Sequence, residues 1–394
     1  MHRPFSVLLL CALIEACAVP LPSNGPIGLT VANRPLRTES SQVAGFVREL
    51  RPLLVKLPDG TGVILEALVT RPAEPGRYPL ILLSHGTPRG GEDARTSMTP
   101  SAYTAQSFAF ARRGYAVAVV MRRGYGRSEG TNAESSGPCS NRDYSRAGHA
   151  SAADLLGSLE TLRREDWVDP ARIVLVGQSA GGFASLAAAA SGAPGMVGVI
   201  SFAGGRGSDA PGHVCQPERL VEAMGELGQH VKVPALWIYA DNDQFFDPAL
   251  ARQMAAAYSA GGAPLQMVAA PAFGDDGHSL FSTAPVEMWA QWALPFLSTL
   301  GLPTEVLRPA TATELSPPGT LDAAGKTRFS EYLASESLEK AFAVGSNGWG
   351  QGLGKRTEAD AIGAALALCR EHSDDCALYA IGNTYAPGAR AGTP

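Results

Sequence analysis

Ser179, Asp243 and His278 are residue types that together carry out nucleophilic acyl transfer. A serine hydroxyl is a poor nucleophile at neutral pH, so it needs an imidazole to take its proton, and the imidazole needs a carboxylate to fix its tautomer and stabilise its charged form. Ser179 stands in Gly177-Gln178-Ser179-Ala180-Gly181, after the apolar run Ile173 to Val176 and before an alanine-rich segment from Ala180 onward. A chain that passes from buried strand to helix within a few residues turns sharply and holds its middle side chain in the open, and only small neighbours fit there. This is the pattern of a nucleophile elbow. A second copy, Gly126-Arg127-Ser128-Glu129-Gly130, follows the apolar run Ala116 to Val120 but leads into Thr-Asn-Ala-Glu-Ser-Ser-Gly-Pro, which is loop chemistry rather than a helix. Ser128 therefore reads as structural.

Of seven histidines, only His278 falls between the last expected strand and the last expected helix, in Gly274-Asp275-Asp276-Gly277-His278. His2 belongs to the N-terminal segment and His149 begins a helix. His213 and His230 flank another helix, and His372 lies in the tail. His85 ends an early strand, where a histidine usually serves as a structural hydrogen-bonder. Three aspartates compete to be the acid after the strand Ala235 to Tyr239. Asp243 sits in the turn facing the histidine loop and is favoured; Asp247 is second, with an alternative role as an N-cap before Pro248. Asp241 would cap the strand end, and Asp275 and Asp276 would shape the loop of His278. The charge that develops on the carbonyl oxygen needs backbone donors. Ala180 N–H supplies one, and Thr87 N–H, in the turn after the strand Leu80 to Leu83, is expected to supply the other. Neither C-x-x-C nor H-x-x-x-H spacing occurs, so no metal is expected, and the chemistry requires no cofactor.

The elements that must position these groups alternate. Pro52 to Leu57 and Val63 to Thr70, around Pro58-Asp59-Gly60-Thr61-Gly62, read as an antiparallel hairpin at a sheet edge. Strands follow at 80–83, 115–121, 173–176, 197–202, 235–239 and 265–269. Helices are expected at 102–113, 150–163, from 180, and at 218–224, 248–258 and 286–300. Such alternation predicts a mostly parallel, doubly wound α/β sheet with helices on both faces and ligands beyond the carboxyl ends of the strands. The domains expected are an export signal at 1–18, a linker at 19–45, the α/β domain at 46–302, a linker at 303–325 and a small C-terminal α+β module at 326–394. In that module the sequence reads as a helix at 330–337, an apolar stretch at 341–344, a glycine-rich turn at 345–354, a helix at 358–370 and a strand at 377–381. Lys355 and Arg356 read as solvated.

Phe5 to Ile14, preceded by His2 and Arg3, has the length of a secretory h-region and is too short to span a bilayer. Cleavage after Ala18 fits Ala16-Cys17-Ala18, while Ile14-Glu15-Ala16-Cys17 also resembles a lipobox, which would put a lipid on Cys17 and anchor the protein to the membrane. Pro20, Pro22 and Pro26 argue against a buried helix. Export makes disulfides available to the other four cysteines. Cys139 pairs with Cys215, since both follow strands of one sheet edge, and Cys369 pairs with Cys376. A net charge of −5 with 45% hydrophobic residues is ordinary for a globular protein. No basic stripe points to nucleic acid.

Residues from about 50 to 300 resemble the α/β-hydrolase superfamily, in particular the dienelactone hydrolase and prolyl oligopeptidase type. The resemblance rests on His85-Gly86, Arg123-Gly124-Tyr125-Gly126-Arg127-Ser128-Glu129-Gly130, Gly177-Gln178-Ser179-Ala180-Gly181-Gly182, Asp243 and Gly277-His278. It implies that the loop of Ser128 shapes the site beside the nucleophile. Dienelactone hydrolases carry cysteine where this chain has Ser179, which favours a serine esterase or exopeptidase. The expectation is an exported serine hydrolase, periplasmic, membrane-anchored or secreted, that cleaves small-molecule carboxylic esters through an acyl-enzyme. A peptidase on the same machinery is the alternative, although no propeller-like repeats precede the domain. A catalytically silent fold acting as a binding module is the alternative of another class. Residues 130–146 and 204–212 are expected to wall the pocket.

Overall fold

The computed structural model describes residues 36–43, 45–308, 315–335 and 337–389. The export signal, the lipobox and the linker as far as residue 35 lie outside the described residues. Strands β1 (Glu39–Val43), β2 (Phe46–Lys56), β3 (Gly62–Pro72), β4 (Tyr78–Ser84), β5 (Ala116–Val120), β6 (Val168–Gln178) and β7 (Met196–Phe202) come first. They are followed by a hairpin of β8 (Ser208–Ala210) and β9 (His213–Val214), then by β10 (Ala235–Ala240) and β11 (Leu265–Ala270). Nine of these form one sheet in the order β1-β2-β3-β5-β4-β6-β7-β10-β11. The first three pairings are antiparallel and the rest parallel, so the expected hairpin, β2 and β3, lies on the antiparallel side of the sheet, with β1 added outside it as the edge strand. β4 lies between β5 and β6, so the chain reverses its direction of travel across the sheet there. The loops after β4 and β6 diverge at that point, and a cleft opens between them.

Helices α1 (Gly91–Thr96), α2 (Thr104–Ala111), α3 (Tyr144–Leu162), α4 (Ala180–Ala189), α5 (Pro217–His230), α6 (Pro248–Ala260), α7 (Leu280–Thr283) and α8 (Val286–Thr299) complete the domain. Strand side chains alternate between two cores, as the period of a pleated strand requires. Leu80, Leu82, Ile173 and Leu175 pack with residues of α3 to α6, whereas Ile81, Leu83, Val174 and Val176 pack with α2, α7 and α8. All eight are at most 1% exposed, which is why both runs read as continuous apolar stretches.

Several boundaries differ from expectation for identifiable reasons. β1 falls in the expected linker; it carries Glu39, Ser40, Ser41 and Gln42, and a polar edge strand has no apolar face to announce it. α3 begins at Tyr144 rather than 150, because Asp143 caps it by accepting from Arg146 N at 2.8 Å. α5 runs on to His230. The expected glycine-rich turn at 204–212 ends in the β8–β9 hairpin.

The C-terminal module is an antiparallel sheet in the order β13-β12-β14-β15, made of β12 (Ala341–Val344), β13 (Trp349–Gly352), β14 (Ala377–Ile381) and β15 (Thr384–Tyr385). Phe329 and Tyr332 of α9 (Ala323–Ala334) cover one face, and Ala361, Ala365 and Cys369 of α10 (Glu358–Arg370) cover the other. β13 replaces the expected turn. Its glycines serve close approach rather than turning, since a Cβ at Gly350 or Gly352 would run into the α10 carbonyls of Ala365 or Ala361. α9 begins within the expected linker, capped by Asp322, and ends earlier than the 330–337 helix foreseen. Described residues of the expected linker are fastened on both sides. Tyr115 Oη donates to Pro303 O and Arg113 Nε to Thr304 O, while Leu315 and Leu321 are buried in the module. Both expected disulfides form, Cys139–Cys215 and Cys369–Cys376. No helix among the described residues is long and apolar enough to cross a membrane.

Candidate active site

Ser179 occupies the turn between β6 and α4 at φ 57° and ψ −125°, a backbone conformation that costs a non-glycine residue about 1–3 kcal/mol and persists only where its surroundings enforce it. Those surroundings are backbone atoms. A Cβ at Gly177 would meet the Gly181 carbonyl, and one at Gly181 would meet the Ser84 carbonyl of β4. The small flanking residues are therefore a steric requirement of the turn. Ser179 O in turn accepts from Phe183 N at 3.1 Å and Gly205 N at 3.1 Å, which anchors the turn to the loop after β7.

His278 follows β11 and Asp243 follows β10, as expected, and the structure joins them. His278 Nδ1 lies 3.1 Å from each Asp243 carboxylate oxygen. The carboxylate is itself held, because Oδ1 accepts from Phe245 N at 2.7 Å and Phe246 N at 3.0 Å. The Phe245 ring stacks on the imidazole at 3.8 Å between centroids, and the Arg89 guanidinium lies over that ring, 3.5 Å from its centroid. Among the described residues no hydrogen bond links Ser179 Oγ to the imidazole. Such bonds commonly tighten only when substrate is bound. Asp247 caps α6 through Ala249 N and Leu250 N, Asp276 accepts from His278 N and Gln244 N, and Asp241 is exposed. Asp243 alone of the three competitors after β10 faces the imidazole.

Thr87 and Ala180 both line the cavity of about 180 Å³ beside Ser179. Among the described residues neither backbone amide donates to another group, so two N–H donors stand unused there. Much of the remaining wall comes from the two segments expected, through Asn132, Ser135, Arg142, Arg206 and Ser208 among others, and Tyr125, Phe245 and Phe246 complete it from outside them; the Cys139–Cys215 disulfide joins the first segment to the residues just after the second. His85 is structural. Its Nδ1 bonds Gly86 O at 2.7 Å and its Nε2 accepts from Arg122 N at 3.0 Å. Burial first, and then the Arg122 cation, push its pKa down to about 3, so it stays neutral. Ser128 is structural as well: its Oγ donates to Met121 O at 2.6 Å and accepts from Glu66 N at 2.9 Å.

Two residues of the site carry no signal in the sequence. Gln178, beside Ser179, donates from Nε2 to His278 O at 2.8 Å and accepts from Tyr103 Oη at 3.0 Å, so it ties the histidine loop to the Ser179 turn. Glu134 lies under the cavity, 3% exposed. It accepts from Arg122 Nε at 2.6 Å, Arg122 Nη2 at 3.0 Å and Tyr125 Oη at 2.6 Å, and it pairs with Arg206 Nη2 at 2.8 Å. Burial raises the Glu134 pKa, but Arg122 and Arg206 together outweigh it and hold the carboxyl well below the usual glutamate range. Its contribution to stability is therefore full above the ordinary glutamate pKa and is lost as pH falls further. Glu134→Gln keeps the shape and strands two buried guanidinium groups, so it is expected to cost about 3–5 kcal/mol. Urea unfolding at neutral pH reads this directly, and the gap from the wild type should shrink in acid.

The model of the family described as X-Pro dipeptidyl-peptidase (S15 family) matches residues 59–303. Similar solved structures include acetyl xylan esterase 1 from Thermoanaerobacterium sp. JW/SL YS485, with TM-score 0.48, 18% identity, and coverage of 68% of this chain and 87% of that one. Dipeptidyl peptidase 4 of Porphyromonas gingivalis is another, with TM-score 0.45, 16% identity, and coverage of 66% of this chain and 41% of that one. No curated protein matches the chain.

Proposed function

The chain belongs to the X-Pro dipeptidyl-peptidase (S15) family, and on the geometry of its site we propose that it is an exported serine hydrolase that cleaves carboxylic esters through an acyl-enzyme at Ser179. The observation that carries the reading is the strained Ser179 turn opening on a cavity beside the His278–Asp243 pair. Ser179 Oγ attacks the ester carbonyl as His278 Nε2 takes its proton, and Asp243 stabilises the imidazolium. The oxyanion is held by Ala180 N–H and Thr87 N–H. His278 returns the proton to the departing alcohol, and a water then repeats the sequence to free the acid. Two disulfides support an oxidising compartment, the periplasm or the cell exterior. Anchoring through a lipid on Cys17 belongs to the same reading.

The family favours a second reading, a peptidase on the same machinery. A dipeptidyl peptidase must hold a free α-ammonium, which calls for an unneutralised carboxylate at the cavity. Among the described residues Glu134 is the only carboxylate that lines the cavity; it is engaged by two guanidinium groups, and Arg142 lines the same wall. Like charges about 4 Å apart repel by roughly 4 kcal/mol at an effective dielectric of about 20. A neutral or anionic acyl group is therefore preferred. The test compares p-nitrophenyl butyrate with Ala-Pro-p-nitroanilide and its N-acetyl form. Turnover of the ester is expected, with no advantage of the free-amine anilide over the acetylated one. Faster cleavage of the free amine by about tenfold or more, a 1.4 kcal/mol preference, would give the site to the peptidase reading.

A further inference from the structure

Resting on the assignment of Ser179 above, we propose that the C-terminal module acts on catalysis through Arg356, a positioning residue for the loop that shapes the Ser179 cavity. Contrary to expectation Arg356 is not solvated. It reaches out of the module to the middle of β3, where Nε donates to Glu66 Oε1 at 2.6 Å and Nη2 to Glu66 Oε2 at 3.4 Å and to Met98 O at 2.8 Å. Glu66 is 0% exposed, and Arg356 is its ion-pair partner among the described residues.

The same carboxylate holds the active-site loop. Glu66 Oε2 accepts from Arg127 N at 2.8 Å, and it lies 2.5 Å from where a Gly126 Cβ would stand, so the Gly126-Arg127 turn is wrapped around it. Ser128 N then closes the turn onto Tyr125 O at 3.0 Å. The Tyr125 side chain is fully buried, and its hydroxyl contacts Thr87 Oγ1 at 2.8 Å and Glu134 at 2.6 Å, both residues of the cavity wall. Arg356 is thus joined through Glu66, the turn and Tyr125 to Thr87, whose amide is the proposed oxyanion donor. Without Arg356, Glu66 is a buried and unpaired carboxylate. It must take up a proton or admit water, and either change loosens the turn it organises.

A second ion pair crosses the same junction without touching the loop. Arg48 pairs with Glu339 and donates to Thr104 Oγ1 at 3.0 Å. Glu339→Gln is therefore the control for mere loosening of the module. Arg356→Ala is expected to lower kcat for p-nitrophenyl butyrate about tenfold with little change in KM, since misplacing a transition-state contact is felt in kcat. Hydrogen exchange should quicken in peptides covering residues 122–134 and Thr87. Adding Glu66→Gln removes the stranded charge and should restore part of both, and Arg356→Lys, which keeps the cation, should fall between. Glu339→Gln should leave kcat and exchange in the loop unchanged. Wild-type kcat and exchange in Arg356→Ala, or equal losses in Arg356→Ala and Glu339→Gln, overturn the proposal. A wild type that takes up no fluorophosphonate would remove the assignment of Ser179, and the exchange comparison would still decide the role of Arg356.

Discussion

Ser179→Ala is expected to take up no fluorophosphonate and to hydrolyse p-nitrophenyl esters roughly 10⁴- to 10⁶-fold more slowly than the wild type, the scale on which loss of an activated serine is felt. Ser128→Ala should still label and turn over. The two serines share a local motif, and their surroundings separate them. Ser179 sits on a strained turn at the head of a helix, against the cavity. Ser128 Oγ is spent on Met121 O and Glu66 N, where it stitches its loop to β3. Its loss costs about 1–3 kcal/mol of buried hydrogen bonding and some order in the loop, but leaves the nucleophile in place. Loss of label in Ser128→Ala alone would reverse the assignment. A folded, disulfide-bonded wild type that neither labels nor turns over would bring the binding-module alternative forward.

The contrast between the serines also shows which features the chain discloses before it is folded. Ile173 to Val176 and the residues after Ser179 announce themselves because a strand buried on both faces and a helix packed all round are apolar throughout. The elbow glycines are readable because backbone meets backbone there. Glu134 is not readable. It stands in a loop of asparagine, serine and glycine, and its importance comes from two arginines that approach it from positions 122 and 206. Gln178 fills a variable place in a motif, and nothing local shows that His278 O will be its acceptor. Arg356 is the extreme case. It follows a lysine in a polar turn, and only the docking of the module onto β3 carries it from solvent to a buried carboxylate 290 positions away. Long-range partners were legible where the order of strands and loops brings them to one sheet edge, as with Asp243 and His278, and not where a side chain meets its partner through packing that no local pattern announces.

Asp243→Asn is expected to lower kcat by about 10⁴-fold without unfolding the protein. The reason lies in how the carboxylate is held. Phe245 N and Phe246 N both donate to Oδ1, and an asparagine in this place keeps its oxygen toward them because its NH₂ cannot accept. The amide nitrogen is then left facing His278 Nδ1, which must become an acceptor. The ring proton moves to Nε2, the nitrogen that has to take the proton of Ser179, and the base is lost although every atom is close to its original position. Stacking on Phe245 and the 10% side-chain exposure of His278 leave the ring little freedom to escape by flipping. Ester turnover and the rate of fluorophosphonate labelling should fall together, while the thermal midpoint stays near that of the wild type. Asp247→Asn supplies the contrast: its side chain caps α6 through Ala249 N and Leu250 N, which an asparagine oxygen also does, so activity should be retained. If Asp243→Asn lost less than about tenfold, or if Asp247→Asn lost more than Asp243→Asn, the carboxylate at position 243 would orient the loop and not the reaction, because a lost tautomer cannot be this mild.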